Sequence, residues 1–340
     1  MDSLLCDEVW LSSSASPGCC NANHSSNIES CNRSLYTTKE DYEQAVFIFL
    51  EKELNFMPKP EYIEYLVSKD LIFLRFRAIQ WLIKSRTRLN LSTETVFVAA
   101  NYLDRFICAK QCQEWHYWMV ELLSAACLSV ASKLVETSAP SLHEIQMEDL
   151  DHSFQAIKIQ QMELILSQEL GWRLGAVTAY SYVQSLVMTI GSLESNLHKD
   201  LAAQVTKLLL GAILDCKFLE YRPSTVAMSA LWCSLEELVP SNLSSQLVCA
   251  MNLFNQDQKE DIVKCYNTMQ ARILLDQIDN LVPCGKSCYG PSSPVTVLLT
   301  ERNEIYDCHV SQPLFRDISG ISKINHEQTK RKREHQEKDC

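Results

Sequence analysis

The chain has 340 residues, 46% of them hydrophobic and 21% charged, with a formal net charge of −11. That is the balance of a folded globular protein long enough for two domains, and not of a disordered one. An acidic chain lacks the cationic surface from which nucleic-acid binders draw their affinity, so no direct binding to nucleic acid or to an anionic membrane is expected.

Residues 1–36 are rich in Ser, Asn and Cys, show no sustained periodicity and are predicted to form a disordered arm. The opening MDSLLCDEVW carries acids where a secretory signal needs a basic region before an apolar run. Thr37 and Glu40 have the spacing of a capping box, and Tyr42, Ala45, Val46, Phe49 and Leu50 follow at helical spacing until Pro58 and Pro60 stop them. Further helices are predicted over about 68–86 (Leu71, Leu74, Ala78, Trp81 and Leu82 on one side), from Ser92 through Phe106, and over 115–135. The last, LLSAACLSVASKL at its centre, is apolar nearly all round and should be a buried central helix. Ser141 and Glu144 cap a short helix, and one over about 155–170 ends at Gly171.

The pattern then repeats, with helices at about 177–190, 198–218, 223–238, 243–254 and 258–276, and Pro223 at a first helical position. Strand signals are absent. The expected fold class is all-α, with two five-helix domains in tandem over 37–174 and 175–282. A flexible tail follows at 283–340, in which Lys330, Arg331, Lys332 and Arg333 read either as a nuclear-import cluster or as a solvated charge run.

The 15 cysteines are scattered from Cys6 to Cys340, many of them inside apolar stretches, as Cys127, Cys216, Cys233 and Cys249 are, and no uninterrupted apolar run reaches the length of about 18–20 residues that spans a bilayer. Reduced, mostly buried thiols in the cytosol or nucleus are expected. Cys19–Cys20 and the pair Cys284 and Cys288 have no second ligand pair at zinc-site spacing, so no metal is assigned. Neither a phosphate-cradling glycine loop, nor H-E-x-x-H, nor G-x-S-x-G occurs. His143, Glu144, Asp149 and His152 read as surface residues. With no catalytic residue and no cofactor assigned, the expectation is a binding module and not an enzyme.

Four segments narrow this. LRFRAIQWL places Arg75 six residues before Trp81, NYLDRF follows at 101–106, SVASKLVET at 129–137, and QQMELILSQELGWRL at 160–174. In that order and at that spacing they resemble the helix motifs of the cyclin box, and EYRPSTVAMSAL at 220–231 resembles the second box. The resemblance covers about 37–281 and implies tandem cyclin boxes. It implies that Lys133 and Glu163 meet a cyclin-dependent kinase, although a lysine there also reads as a snorkelling helix residue. By the same resemblance Arg75 and Asp104 tie the first two helices together, an internal structural salt bridge. Where related chains dock Arg-x-Leu segments of substrates, Leu74 and Trp81 remain. Arg77 and Lys84, however, replace the apolar residue and the acid, and Glu121 is the acid that could partly restore the charge.

The arm adds a further motif. Leu4, Cys6 and Glu8 fit L-x-C-x-E, the retinoblastoma-pocket signature. Alternate residues of an extended chain face one way, so the three would enter one groove together. A cyclin box with this motif resembles the D-type cyclins, and the arm's beginning, the WMVEL run at 118–122 and the tail point to the plant lineage and its seventh D subclass. The resemblance implies a nuclear, and partly cytoplasmic, regulatory subunit that activates a kinase and directs it to a retinoblastoma-related pocket protein at the G1/S transition. Kinase inhibitors are a further implied class of partner. The alternatives are a pocket-protein decoy without kinase activation, and a transcription-factor scaffold of the same tandem fold.

Overall fold

The computed structural model describes residues 38–111, 114–146, 150–190, 195–239 and 243–281, which are helical and without strands. The first part of the chain forms α1 (Lys39–Lys52), α2 (Tyr62–Ser68), α3 (Ile72–Leu89), α4 (Thr93–Ala109), α5 (Tyr117–Val135), α6 (Leu142–Gln146) and α7 (Ala156–Glu169). The second forms α8 (Val183–Thr189), α9 (Ser195–Leu214), α10 (Pro223–Leu238), α11 (Leu243–Met251) and α12 (Gln256–Leu281). Short 3-10 turns occupy Glu53–Phe56, Ala179–Tyr182 and Cys216–Glu220.

Helices α3–α7 pack around α5, and α8–α12 pack around α10. Both central helices are built of small residues, LLSAACLSVAS and STVAMSALWCS, which let neighbouring helices approach closely. Of their buried serines, Ser124, Ser229 and Ser234 each donate to a carbonyl one turn back, whereas the Ser129 hydroxyl is buried without a hydrogen-bond partner. Helix α5 has the length and mean hydropathy, 1.5, of a membrane-crossing segment, yet most of its side chains are consumed by the protein core. Four cysteines, Cys108, Cys127, Cys233 and Cys265, are buried free thiols that act as small core hydrophobes. Burial pushes the Cys233 thiol up to about 12 and that of Cys265 to about 11, far from a reactive thiolate.

The helix ends follow local rules. Ser92 caps α4 by accepting from the Thr95 N–H, and Ser141 and Glu144 bond reciprocally at the start of α6. At the end of α7, Gly171 has φ +60°, and the N–H groups of Gly171 and Trp172 bond back to Gln168 and Ser167 at 2.9 and 2.8 Å. This is the paired C-terminal closure that a left-handed residue permits.

Three features differ from the sequence expectation. The capping box of α1 uses Thr38 and Asp41, one residue beyond the expected pair, because Asp41 is the acid within reach of the Thr38 N–H, at 3.0 Å. Helix α2 forms beyond the prolines, where a stop alone was expected, since Tyr62 and Leu66 are buried in the first core. Helix α1, expected to open the first domain, packs on α8 of the second: Val46 enters the second core and Phe49 meets the Tyr182 ring edge-on at 5.5 Å. Seven-residue α8 is too short to close that core alone.

Two buried charged groups join the halves. Arg75, only 2% exposed, donates from Nε and Nη2 to the two carboxylate oxygens of Asp104 at 2.7 and 2.9 Å, and from Nη1 to the Ile213 carbonyl at the end of α9, at 3.1 Å. Tyr62 adds a bond to Asp104 at 3.0 Å. Burial pulls the Arg75 pKa down, but the Asp104 charge and its hydrogen bonds carry the net direction upward, so the guanidinium stays charged. Glu53, fully buried, accepts from the Tyr182 hydroxyl and from the Ser224 N–H and hydroxyl, each at 2.9 Å. Its carboxylate thereby caps the first turn of α10 from another segment of the chain.

Replacing Arg75 by Met strands the Asp104 carboxylate and should lower the unfolding free energy in urea by about 3–5 kcal/mol. Lys84→Met, at an exposed site on the same helix, should shift it by less than about 0.5 kcal/mol. Equal effects of the two would contradict the role given to Arg75. Burial raises the Glu53 carboxyl above its ordinary value of 4.5, against the opposing pull of Ser224 and Tyr182. The folded state therefore binds a proton just above pH 4.5 that the unfolded state has released, and this contribution to stability is lost as pH rises through the folded pKa. The stability of wild type relative to Glu53→Gln should accordingly increase as pH falls through that window, measured by thermal unfolding at a series of pH values.

Candidate functional site

The close-packed serines and alanines of α5 bring α7 alongside it, and Lys133 near the end of α5 then reaches Glu163 on α7 at 2.6 Å. Glu163 is largely covered, with its side chain 14% exposed, whereas Lys133 keeps 49% of its side chain in solvent and has donors to spare. The second oxygen of Glu163, Oε1, is buried without a hydrogen-bond partner. The pair does not stand alone. Leu134, Ile157 and Leu164, on the same two helices, are exposed, the first two by more than half. Ile157 and Leu164, seven residues apart, share one stripe of α7. A charged pair set among exposed apolar side chains is how a protein interface is built, the apolar groups giving most of the affinity and the charges the register.

A second place, on the far side of α5, is a small groove between α3 and α5 lined by Leu74, Arg77, Ala78, Trp81, Tyr117 and Glu121, among others. The structure thus brings the three sequence-predicted docking residues, Leu74, Trp81 and Glu121, into one lining. Its charge pattern differs from the expectation. Glu121 is buried, and both of its oxygens are engaged, by the Asp151 N–H at 2.9 Å and by His152 Nδ1 at 2.5 Å. That carboxylate holds the segment before α7 in place and is not a free counter-charge. Arg77 lies 4.8 Å above the Tyr117 ring and 3.4 Å from Asp151 Oδ2, so a guanidinium borders the groove. Lys84 is exposed and does not line it.

Arg75 and Asp104 are brought together, as the sequence led one to expect, but their reach to the second domain was not legible. Leu4, Cys6 and Glu8 lie outside the described residues, as do the basic run at 330–333 and the cysteines weighed as zinc ligands. Sequence reasoning missed Leu134, Ile157 and Leu164. The available signal was an apolar residue falling in a polar register of its helix, which is weak for single residues. It also missed Glu53, which nothing in the local sequence marks as buried.

The chain matches the cyclin N-terminal domain over residues 45–175 and the cyclin C-terminal domain over residues 177–281. It is 32% identical over 262 residues to cyclin-D2-2 of Oryza sativa subsp. japonica, covering 76% of this chain and 71% of that one. It is 37% identical over 214 residues to cyclin-D7-1 of the same organism, covering 62% and 61%. A viral cyclin from herpesvirus saimiri superposes with a TM-score of 0.43 at 14% identity, over 57% of this chain and 96% of that one.

Lys133 keeps half of its side chain in solvent while Glu163 is largely covered, so Lys133→Met should lower the unfolding free energy by about 1–2 kcal/mol, less than the loss at the fully buried Arg75. A loss of several kcal/mol in urea titration would make Lys133 a structural residue and not one held in reserve for a partner.

Proposed function

The chain belongs to the plant D-type cyclins, and from that premise we propose that it binds and activates a cyclin-dependent kinase through the α5–α7 face. The observation that supports this is the Lys133–Glu163 pair seated among exposed Leu134, Ile157 and Leu164. A kinase of this class is switched on when its mobile helix is pressed inward, so that a glutamate on it pairs with the catalytic lysine that positions the nucleotide phosphates. The rigid edge formed by α5 and α7 supplies the pressing surface, with Lys133 orienting it and the apolar residues holding it. The chain contributes no group to phosphoryl transfer. It acts by binding the active arrangement of its partner more tightly than the inactive one.

The arm completes the proposal. Leu4, Cys6 and Glu8 direct the assembled kinase to a retinoblastoma-type repressor, whose phosphorylation releases transcription factors and promotes the G1/S transition. The site of action is the nucleus.

Co-purification with a panel of cyclin-dependent kinases, followed by a kinase assay on a retinoblastoma-type substrate, tests both halves. Lys133→Glu and Glu163→Lys should each weaken kinase capture by at least about tenfold, a loss on the scale of an interface hot spot. Cys6→Ala should keep kinase capture and lose the pocket protein. Wild type that captures the pocket protein but activates no kinase would overturn the proposal.

A further inference from the structure

A larger groove lies apart from both of these places, where α1 and the ends of α3 and α4 meet α8 and α9, with a volume of about 1240 Å³. Its floor is apolar, with Phe49, Tyr180 and Val187 among its residues. Its walls are cationic: Lys52 ends α1, Arg86 lies in the last turn of α3, and Lys199 and Lys207 stand eight residues apart on one stripe of α9. None of these four forms an ion pair among the described residues, and Arg86 Nε is buried without a hydrogen-bond partner. One acid, Glu94, lines the groove. Burial first, and then the nearby Glu136, raise its carboxyl, which weakens it as a counter-charge.

Uncompensated cations gathered in one concave place are unusual on a chain of net charge −11. A concave wall of one sign focuses the field on whatever enters it. The occupant must be anionic, and the apolar floor requires that it also carry side chains, which excludes a bare inorganic ion as its natural ligand. A phosphate dianion offers three strong acceptor oxygens to converging ammonium and guanidinium groups, where a single carboxylate offers two at half the charge.

We propose that this groove binds an extended peptide segment of a partner protein carrying phosphoserine or phosphothreonine, with the phosphate held by Arg86, Lys199 and Lys207 and the flanking apolar side chains on the floor. The partner would be a protein already phosphorylated once, retained for further phosphorylation. Only that last statement rests on the kinase-regulator reading.

The test therefore uses the full chain without any kinase. A fluorescein-labelled peptide of apolar residues around two phosphoserines is titrated by fluorescence anisotropy, beside its unphosphorylated form and one with aspartate in place of each phosphoserine. The phosphopeptide should bind at least about tenfold more tightly than either, and its affinity should fall with added salt. Joint Lys199→Glu and Lys207→Glu substitution should remove at least about tenfold of that affinity with the circular-dichroism melting curve unchanged. Lys133→Glu, at a residue that does not line the groove, should leave that affinity within about twofold, so this result is independent of kinase capture. Equal binding of the phosphorylated and unphosphorylated peptides, equal binding of the aspartate form, or no effect of the double reversal in a folded variant would each overturn the proposal.

Discussion

A guanidinium taken out of water must have its charge and its donors met, and Arg75 is placed where only the assembled molecule can do that. Asp104 supplies the charge and the carbonyl of Ile213 supplies the remaining acceptor, one from each half of the chain. Breaking such an arrangement costs several kcal/mol, because it leaves a charge buried and alone. The two five-helix domains are therefore not beads on a linker. The orientation of α3 and α4, and through them of α5 and α7, is fixed against the end of α9.

Glu53 does the same work from the other side. It lies just beyond α1, yet its carboxylate closes the first turn of α10 and receives the Tyr182 hydroxyl. Nearby, Asn101 donates to the Phe56 carbonyl at 2.7 Å, and Arg105 and Arg173 lie 5.3 and 5.7 Å from the centroid of the Phe56 ring. The segment between α1 and α2 is thus held by both halves at once. A surface that acts by pressing on a partner needs such backing, since force applied to a loosely tethered domain would move that domain and not the partner. On the proposed function, Lys133 and Glu163 would orient a kinase helix against a scaffold that is closed behind them.

Much of this was legible in the chain itself. The all-round apolarity of LLSAACLSVASKL marks a helix with no solvent face, and α5 is that helix. Pro223 fixes the start of α10 and Gly171 the end of α7, because each has a backbone preference that overrides its surroundings. What was not legible depends on contacts far apart in sequence. Helix α1 is packed on α8 by an interdomain surface that its own periodicity cannot name. Glu121 looked like a free acid and is held by Asp151 and His152, thirty residues on. Glu53 and the cationic groove each gather residues from several elements, so no window of sequence contains them.

The account stands or falls on where a kinase touches the chain. Backbone hydrogen exchange, followed with and without a bound cyclin-dependent kinase, reads this directly, since amides covered by a partner slow their exchange. The account predicts slowed exchange at the end of α5 around Lys133 and along α7 from Ile157 to Leu164, with the cationic groove on α9 unchanged. Slowing confined to the second domain, with α5 and α7 exchanging as in the free chain, would contradict it.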